Sequence, residues 1–243
     1  MTSIGKEIEQ RLHKAGDETQ AKHLMRFFKT GPGQYGEGDR FLGIRVPVTR
    51  ALVREYRTKV ETDDVLYLVK SRFHEVRLAG LLLLIEIYNR AKRRHDMSQR
   101  EIVDIYLTLL DRGNNWDLVD LVAPKILGDY LAQRPEQQSI LDSLAAMENS
   151  LWHQRVAIVA NWSIIKAGNF DSTFRIVETL LHHPHDLIHK AAGWMLREVG
   201  KRGGMSRLLS FLNVHAAKMP RTMLRYAIEQ FPNDLRLHYM NLR

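Results

Sequence analysis

Trp152-His-Gln-Arg155-Val-Ala157 decides the fold, because its pattern, a charged residue followed two positions later by a small or β-branched one, returns along the chain. It recurs as His74-Glu-Val-Arg77-Leu-Ala79, Asp117-Leu-Val-Asp120-Leu-Val122, Leu187-Ile-His-Lys190-Ala-Ala192 and Thr222-Met-Leu-Arg225-Tyr-Ala227. From Arg77 to Arg225 the charged positions are separated by 43, 35, 35 and 35 residues. A single amphipathic helix pair cannot bury its own apolar face, so a fixed period of this length predicts stacked antiparallel helix pairs covered by their neighbours.

The rest of the chain agrees. Apolar residues fall at helical spacing nearly throughout, and no stretch sustains the alternation of a half-buried strand, so the fold class is all-α. Ser98-Gln-Arg-Glu101 reads as a capping box, Asp171 as the cap of the following run, and Pro47, Pro135 and Pro220 stand where first helical turns should begin. The period is close to those of tetratricopeptide and HEAT repeats, and the tetratricopeptide signature is absent. The expectation is one HEAT-like solenoid spanning residues 1–243 as a single domain, with the second helix of each pair lining a concave groove. Arg77, Arg155, Lys190 and Arg225 then form a basic stripe, and Asp120 occupies the same register with the opposite sign.

Composition sets the boundaries of function. The 243 residues include 44% hydrophobic and 26% charged residues, enough for a substantial core. No apolar run is long enough to cross a bilayer, the longest being Leu81-Leu-Leu-Leu-Ile85, and the N-terminal residues carry no signal-peptide pattern. A cytoplasmic protein without a membrane partner is therefore expected. The chain has no cysteine, which excludes disulfides, thiolate zinc sites and a cysteine nucleophile. Thirty-six Lys and Arg against 28 Asp and Glu leave a charge of +8, which favours polyanionic partners.

Two apparent motifs lead nowhere. Gly31-Pro-Gly33-Gln-Tyr-Gly36 has dinucleotide-loop spacing but follows a helix instead of a strand, so the stretch from Gly31 to Gly43 reads as a solvated loop. His182, His183, His185 and His189 lack the carboxylate of a metalloprotease helix and read as a surface turn after Pro184. No metal or cofactor is implied.

Three further segments occur in order: Asn115-Trp-Asp-Leu-Val-Asp120, Leu151-Trp-His-Gln-Arg155 and Gly193-Trp-Met-Leu-Arg-Glu198. With Phe41-Leu-Gly-Ile-Arg-Val-Pro47 upstream, the chain resembles the bacterial AlkD-like alkylpurine DNA glycosylases over most of its length. The resemblance implies a HEAT-like solenoid that grips double-stranded DNA as a monomer and hydrolyses the N-glycosidic bond of N3- and N7-alkylated purines without extruding the base. By motif position it places Trp116, Asp120, Arg155 and Trp194 in the family's central site, with Asp120 as the catalytic carboxylate and Trp116 and Trp194 beside it; the stripe residues Arg155, Lys190, Arg77 and Arg225, with Arg197, are the DNA-binding candidates. Phe27 stands where a characterised member carries a DNA-contacting tyrosine.

These residue types suit that chemistry. Alkylation makes the purine cationic and a good leaving group, so the remaining barrier lies in oxocarbenium character on the sugar. One carboxylate aimed there stabilises the charge and holds the attacking water. Tryptophan faces attract a cation within about 6 Å by roughly 0.5 to 2 kcal/mol each, which favours a cationic lesion over a normal base. Trp116 precedes Asp120 by one helical turn on the same face. Trp152 and Trp162, out of phase with the stripe, are assigned to packing or a groove edge. The competing reading is a non-catalytic HEAT-like protein that binds branched or damaged DNA, with Asp120 merely structural.

Overall fold

The structure, a computed structural model, describes residues 3–94 and 98–242. It resolves into two compact units, Met1–Val122 and Ala123–Arg243. Among the described residues there is no strand, only an isolated bridge between Arg40 and Phe73. No helix among them is long and apolar enough to cross a membrane.

The first unit contains α1 (Ile4–Lys14), α2 (Glu18–Phe27), α3 (Val46–Tyr56), α4 (Thr62–Val69), α5 (His74–Arg94), α6 (Ser98–Thr108) and α7 (Trp116–Val122). Local chemistry starts these helices. Ser3 and Asp17 accept backbone N–H groups of α1 and α2, and Glu61 and Asp64 form a capping box on α4. Pro47 lies in the first turn of α3 as expected. α6 does begin at Ser98, while that serine's side chain lies outside the described residues. α5 is buried on every side from His74 to Ile85, which makes it the central helix of this unit, with α3, α4, α6 and α7 packed around it.

The second unit contains α8 (Asp129–Ala132), α9 (Ser139–Ala145), α10 (Leu151–Val159), α11 (Asn161–Lys166), α12 (Asp171–Thr179), α13 (Asp186–Val199), α14 (Met205–His215), α15 (Arg221–Ala227) and α16 (Asn233–Asn241). The repeat is visible here as paired helices, α9 with α10 and α12 with α13, whose second members form a row from α10 through α13 to α15. Gly193 lets this row close: a Cβ there would stand 2.4 Å from the Met223 carbonyl oxygen of α15. Asp171 does not cap α12 but is its first residue, and the Asn169 side chain accepts its N–H. Pro135 opens a short 3-10 turn, and Pro220 immediately precedes α15.

Candidate active site

The N-terminus of α7 presents the catalytic candidates. Asn115 is fully buried just before the helix, and its side-chain oxygen accepts the N–H of Trp116 at 2.9 Å. Trp116 is half-buried. One face stacks on Phe28, 5.4 Å between ring centres and 26° between planes, and Phe27 meets it edge-on at 6.1 Å. Phe27 itself is 59% exposed, unusual for so large an apolar side chain. Asp120 is also half-buried, one turn along α7. Behind it on α6, burial and then the negative charge of Asp120 push the Tyr106 phenol above its ordinary pKa.

Beneath α7 lies a buried cluster of four charges. Both nitrogens of the His74 ring face carboxylates, Nδ1 to Asp39 at 2.8 Å and Nε2 to Asp117 at 2.9 Å. A carboxylate can only accept, so both nitrogens must donate and the ring is an imidazolium. Burial disfavours that cation, but hydrogen bonds to Asp117 and Asp39 outweigh it and raise the pKa to about 9. Burial likewise pushes the Asp39 carboxyl up, and His74 and Arg77 more than reverse this, holding it below its ordinary value. Two positive and two negative side chains therefore compensate one another away from water.

The loop expected to be solvated is exposed at Pro32 to Gln34, Glu37 and Gly38, but its end is pinned beside this cluster. Glu75, 2% exposed, accepts the backbone N–H groups of Leu42, Gly43 and Ile44 at 2.8, 2.9 and 3.0 Å. Asp39, Phe41 and Ile44 are buried with it. Gly43 has a φ of +86°, and a Cβ there would fall 2.0 Å from the Asp17 carbonyl oxygen. This end of the loop stays put because the buried Glu75 carboxylate satisfies its N–H groups in place of water.

The cation stripe is corrected at two positions. Arg77 is 3% exposed, and its guanidinium donates to Asp39, Asn114 and the carbonyls of Ser71 and Arg112. Arg155 is 5% exposed and donates to the Leu187 carbonyl at 2.6 Å. Each reaches a carbonyl roughly one repeat further along its own unit, because a planar fork of five donors suits the open carbonyls of the next repeat. These two arginines strap repeats together and do not face outward. Lys190 is half-buried and paired with Asp186 at 2.7 Å; Arg197 pairs with Glu229 and Glu198. Arg225 is exposed, its Nε bonded to the Arg221 carbonyl. Trp194 is half-buried beside Gly193. Trp162 lies under the cations of Arg202 and Lys166, at 5.2 and 5.7 Å from its ring centre.

The histidine cluster is a turn that caps α13. His185 Nδ1 accepts the Leu187 N–H, His183 Nδ1 accepts the His185 N–H, and His183 Nε2 bonds the Gln154 side chain.

A family model described as DNA alkylation repair enzyme matches residues 8–231. The chain belongs to this family. A solved structure titled "Predicted DNA alkylation repair enzyme from Enterococcus faecalis" superposes with a TM-score of 0.71 and 18% identity, covering 90% of this chain and 97% of that one. At that identity the likeness is one of fold. No match was found among curated proteins. Membership makes the coarse function the repair of alkylated DNA, with alkylated DNA as the partner.

Several residues bearing on a DNA alkylation repair site were missed in the sequence. Lys22 and Arg26 line a shallow hollow of about 380 Å³ with Met25, Thr30, Gly31 and Gln34, directly before and after exposed Phe27. Neither cation has an ion-pair partner among the described residues. Their helical spacing of four was readable; the packing of the neighbouring Phe27 against Trp116 was not. His74 and Asp39 gave no signal, being separated by 35 residues and joined only by tertiary contact.

Proposed function

We propose that this DNA alkylation repair protein is a glycosylase hydrolysing the N-glycosidic bond of cationic N3- and N7-alkylated purines in duplex DNA. The observation that carries the proposal is the pairing on α7 of a half-buried carboxylate, Asp120, with a half-exposed tryptophan backed by Phe28 and edged by exposed Phe27. As the bond lengthens, its electron pair leaves with the purine, which departs neutral. The sugar becomes oxocarbenium-like, Asp120 stabilises that charge, and a water oxygen adds to the anomeric carbon while its proton passes to the carboxylate or solvent.

Trp116 selects the cationic lesion through its ring face, and Trp194 is the other tryptophan proposed for catalysis. Lys190, Arg197 and Arg225 supply phosphate contacts, together with Lys22 and Arg26 beside Phe27. The protein acts as a monomeric HEAT-like domain in the bacterial cytosol. Purified protein incubated with a duplex carrying 7-methylguanine should leave abasic sites. Asp120→Asn should bind the duplex and leave none. Tight binding by the wild type without abasic sites would instead support a non-catalytic protein that binds damaged or branched DNA.

A further inference from the structure

We infer that His74 is a positioning residue for the α7 site: gripped through both ring nitrogens by Asp39 and Asp117, it sets the orientation of Trp116 and Asp120. The inference deepens the proposed glycosylase reading and relies on it for the activity measurement. Its geometry, however, stands alone.

Two routes lead from His74 to the candidate catalytic residues. The first is polar. Asp117 lies in the first turn of α7 between Trp116 and Asp120, and its Oδ2 accepts from His74 Nε2 at 2.9 Å. Its other oxygen is buried without a hydrogen-bond partner among the described residues, so the carboxylate is held through His74. The second route is aromatic. The His74 ring stacks on Phe41 at 4.5 Å and packs on Phe28 at 5.2 Å, and the same Phe28 stacks on Trp116. One imidazolium thus holds both the helix turn and the ring behind the tryptophan.

The anchor on the far side is equally firm. Asp39 accepts from His74 and, at 2.8 Å, from Arg77, and also lies 3.5 Å from the Asn115 amide nitrogen at the start of α7. The charged groups facing His74 are Asp39 from the loop and Asp117 from α7, with Arg77 joined through Asp39. Glu75, its neighbour on α5, is committed to the loop backbone. A neutral imidazole could donate to only one of the two carboxylates, leaving the other buried and repelled. The clamp therefore requires the proton, and the pKa of about 9 keeps it in place at neutral pH.

His74→Gln tests this, since glutamine donates through one nitrogen and cannot carry charge. The chemical step, measured with saturating enzyme on 7-methylguanine duplex at pH 7.5, should slow by about 10- to 100-fold, as misplacement on the order of 1 Å does. Affinity for unmodified duplex should stay within about twofold of wild type. A folded His74→Gln protein releasing base at the wild-type rate would overturn the inference. Should the variant not fold, wild-type protein still decides: nitrogen-detected NMR should show both His74 ring nitrogens protonated at pH 7.5. On raising the pH, the Trp116 indole N–H resonance, assigned with Trp116→Phe, should move with the same midpoint as His74. A neutral His74 at pH 7.5, or a Trp116 signal indifferent to its titration, refutes the clamp. If Asp120→Asn retained full base release, the glycosylase site would fall while this NMR coupling still decided the clamp.

Discussion

Asp120 on α7 and Arg155 on α10 occupy equivalent places in successive repeats, 35 residues apart, yet one lies at a helix surface and the other inside a unit. Arg155 is turned inward because the next repeat offers it a carbonyl, that of Leu187. Arg77 behaves the same way in the first unit with Arg112. Asp120 cannot donate to a carbonyl, so a carboxylate at the strap position cannot serve as a strap. The comparison teaches that a periodic cation in a repeat protein first reports the repeat. At the acidic position the register carries a side chain of a different chemistry, which accepts hydrogen bonds where the arginines donate them.

Substituting these two residues should separate their roles. In the proposed reaction Asp120→Asn should cut base release by about 100-fold or more, the scale for losing a transition-state electrostatic contact, while costing less stability than Arg155→Ala. Arg155→Ala should do the reverse and destabilise the fold by roughly 2 to 3 kcal/mol, since a buried charged donor and its packing are lost together. Denaturant midpoints and single-turnover rates read both. Equal losses of stability in the two variants would erase the distinction.

A smaller effect concerns the cluster under α7. The folded-state pKa of His74 is raised from 6.5 to about 9, so its contribution to stability is fully present below pH 6.5 and is lost as pH rises through 9. The urea midpoint of the wild type should fall between pH 7 and 10, and that of His74→Gln should be flatter across the same window. Asp39, whose pKa is lowered, acts in the opposite sense and contributes stability lost in acid. Parallel curves for the two proteins would show that His74 titrates without linkage to folding.

The smallest effect is expected at the end of the row of second helices. Arg225 stands at the strap position of α15 but is exposed, its Nε on the carbonyl of its own helix. Arg225→Ala should leave stability within about 0.5 kcal/mol and, in the proposed DNA complex, lower the salt slope of binding by about 1. An Arg225→Ala cost as large as that of Arg155→Ala would mean that exposure does not separate the two uses of the register.

The all-α class was determined by the sequence itself, because helical spacing of apolar residues and a recurring 35-residue interval are local facts that no other layout satisfies economically. Asp120 was conspicuous for the same reason, as an acid in a basic register, and Trp116 lay one turn from it on any α-helix. Whether a cation in that register turns in or out depends on which carbonyls the neighbouring repeat leaves open, and only the tertiary structure decided it, burying Arg77 and Arg155. The loop from Gly31 to Gly43 shows the same limit. Its glycines suggested solvation, but Glu75, far along the chain on α5, holds the end of the loop through the N–H groups of Leu42 and Gly43. Sequence records a residue's chemistry and its place in a helix; burial and pairing arise when segments far apart in the chain compete for the same donors and acceptors.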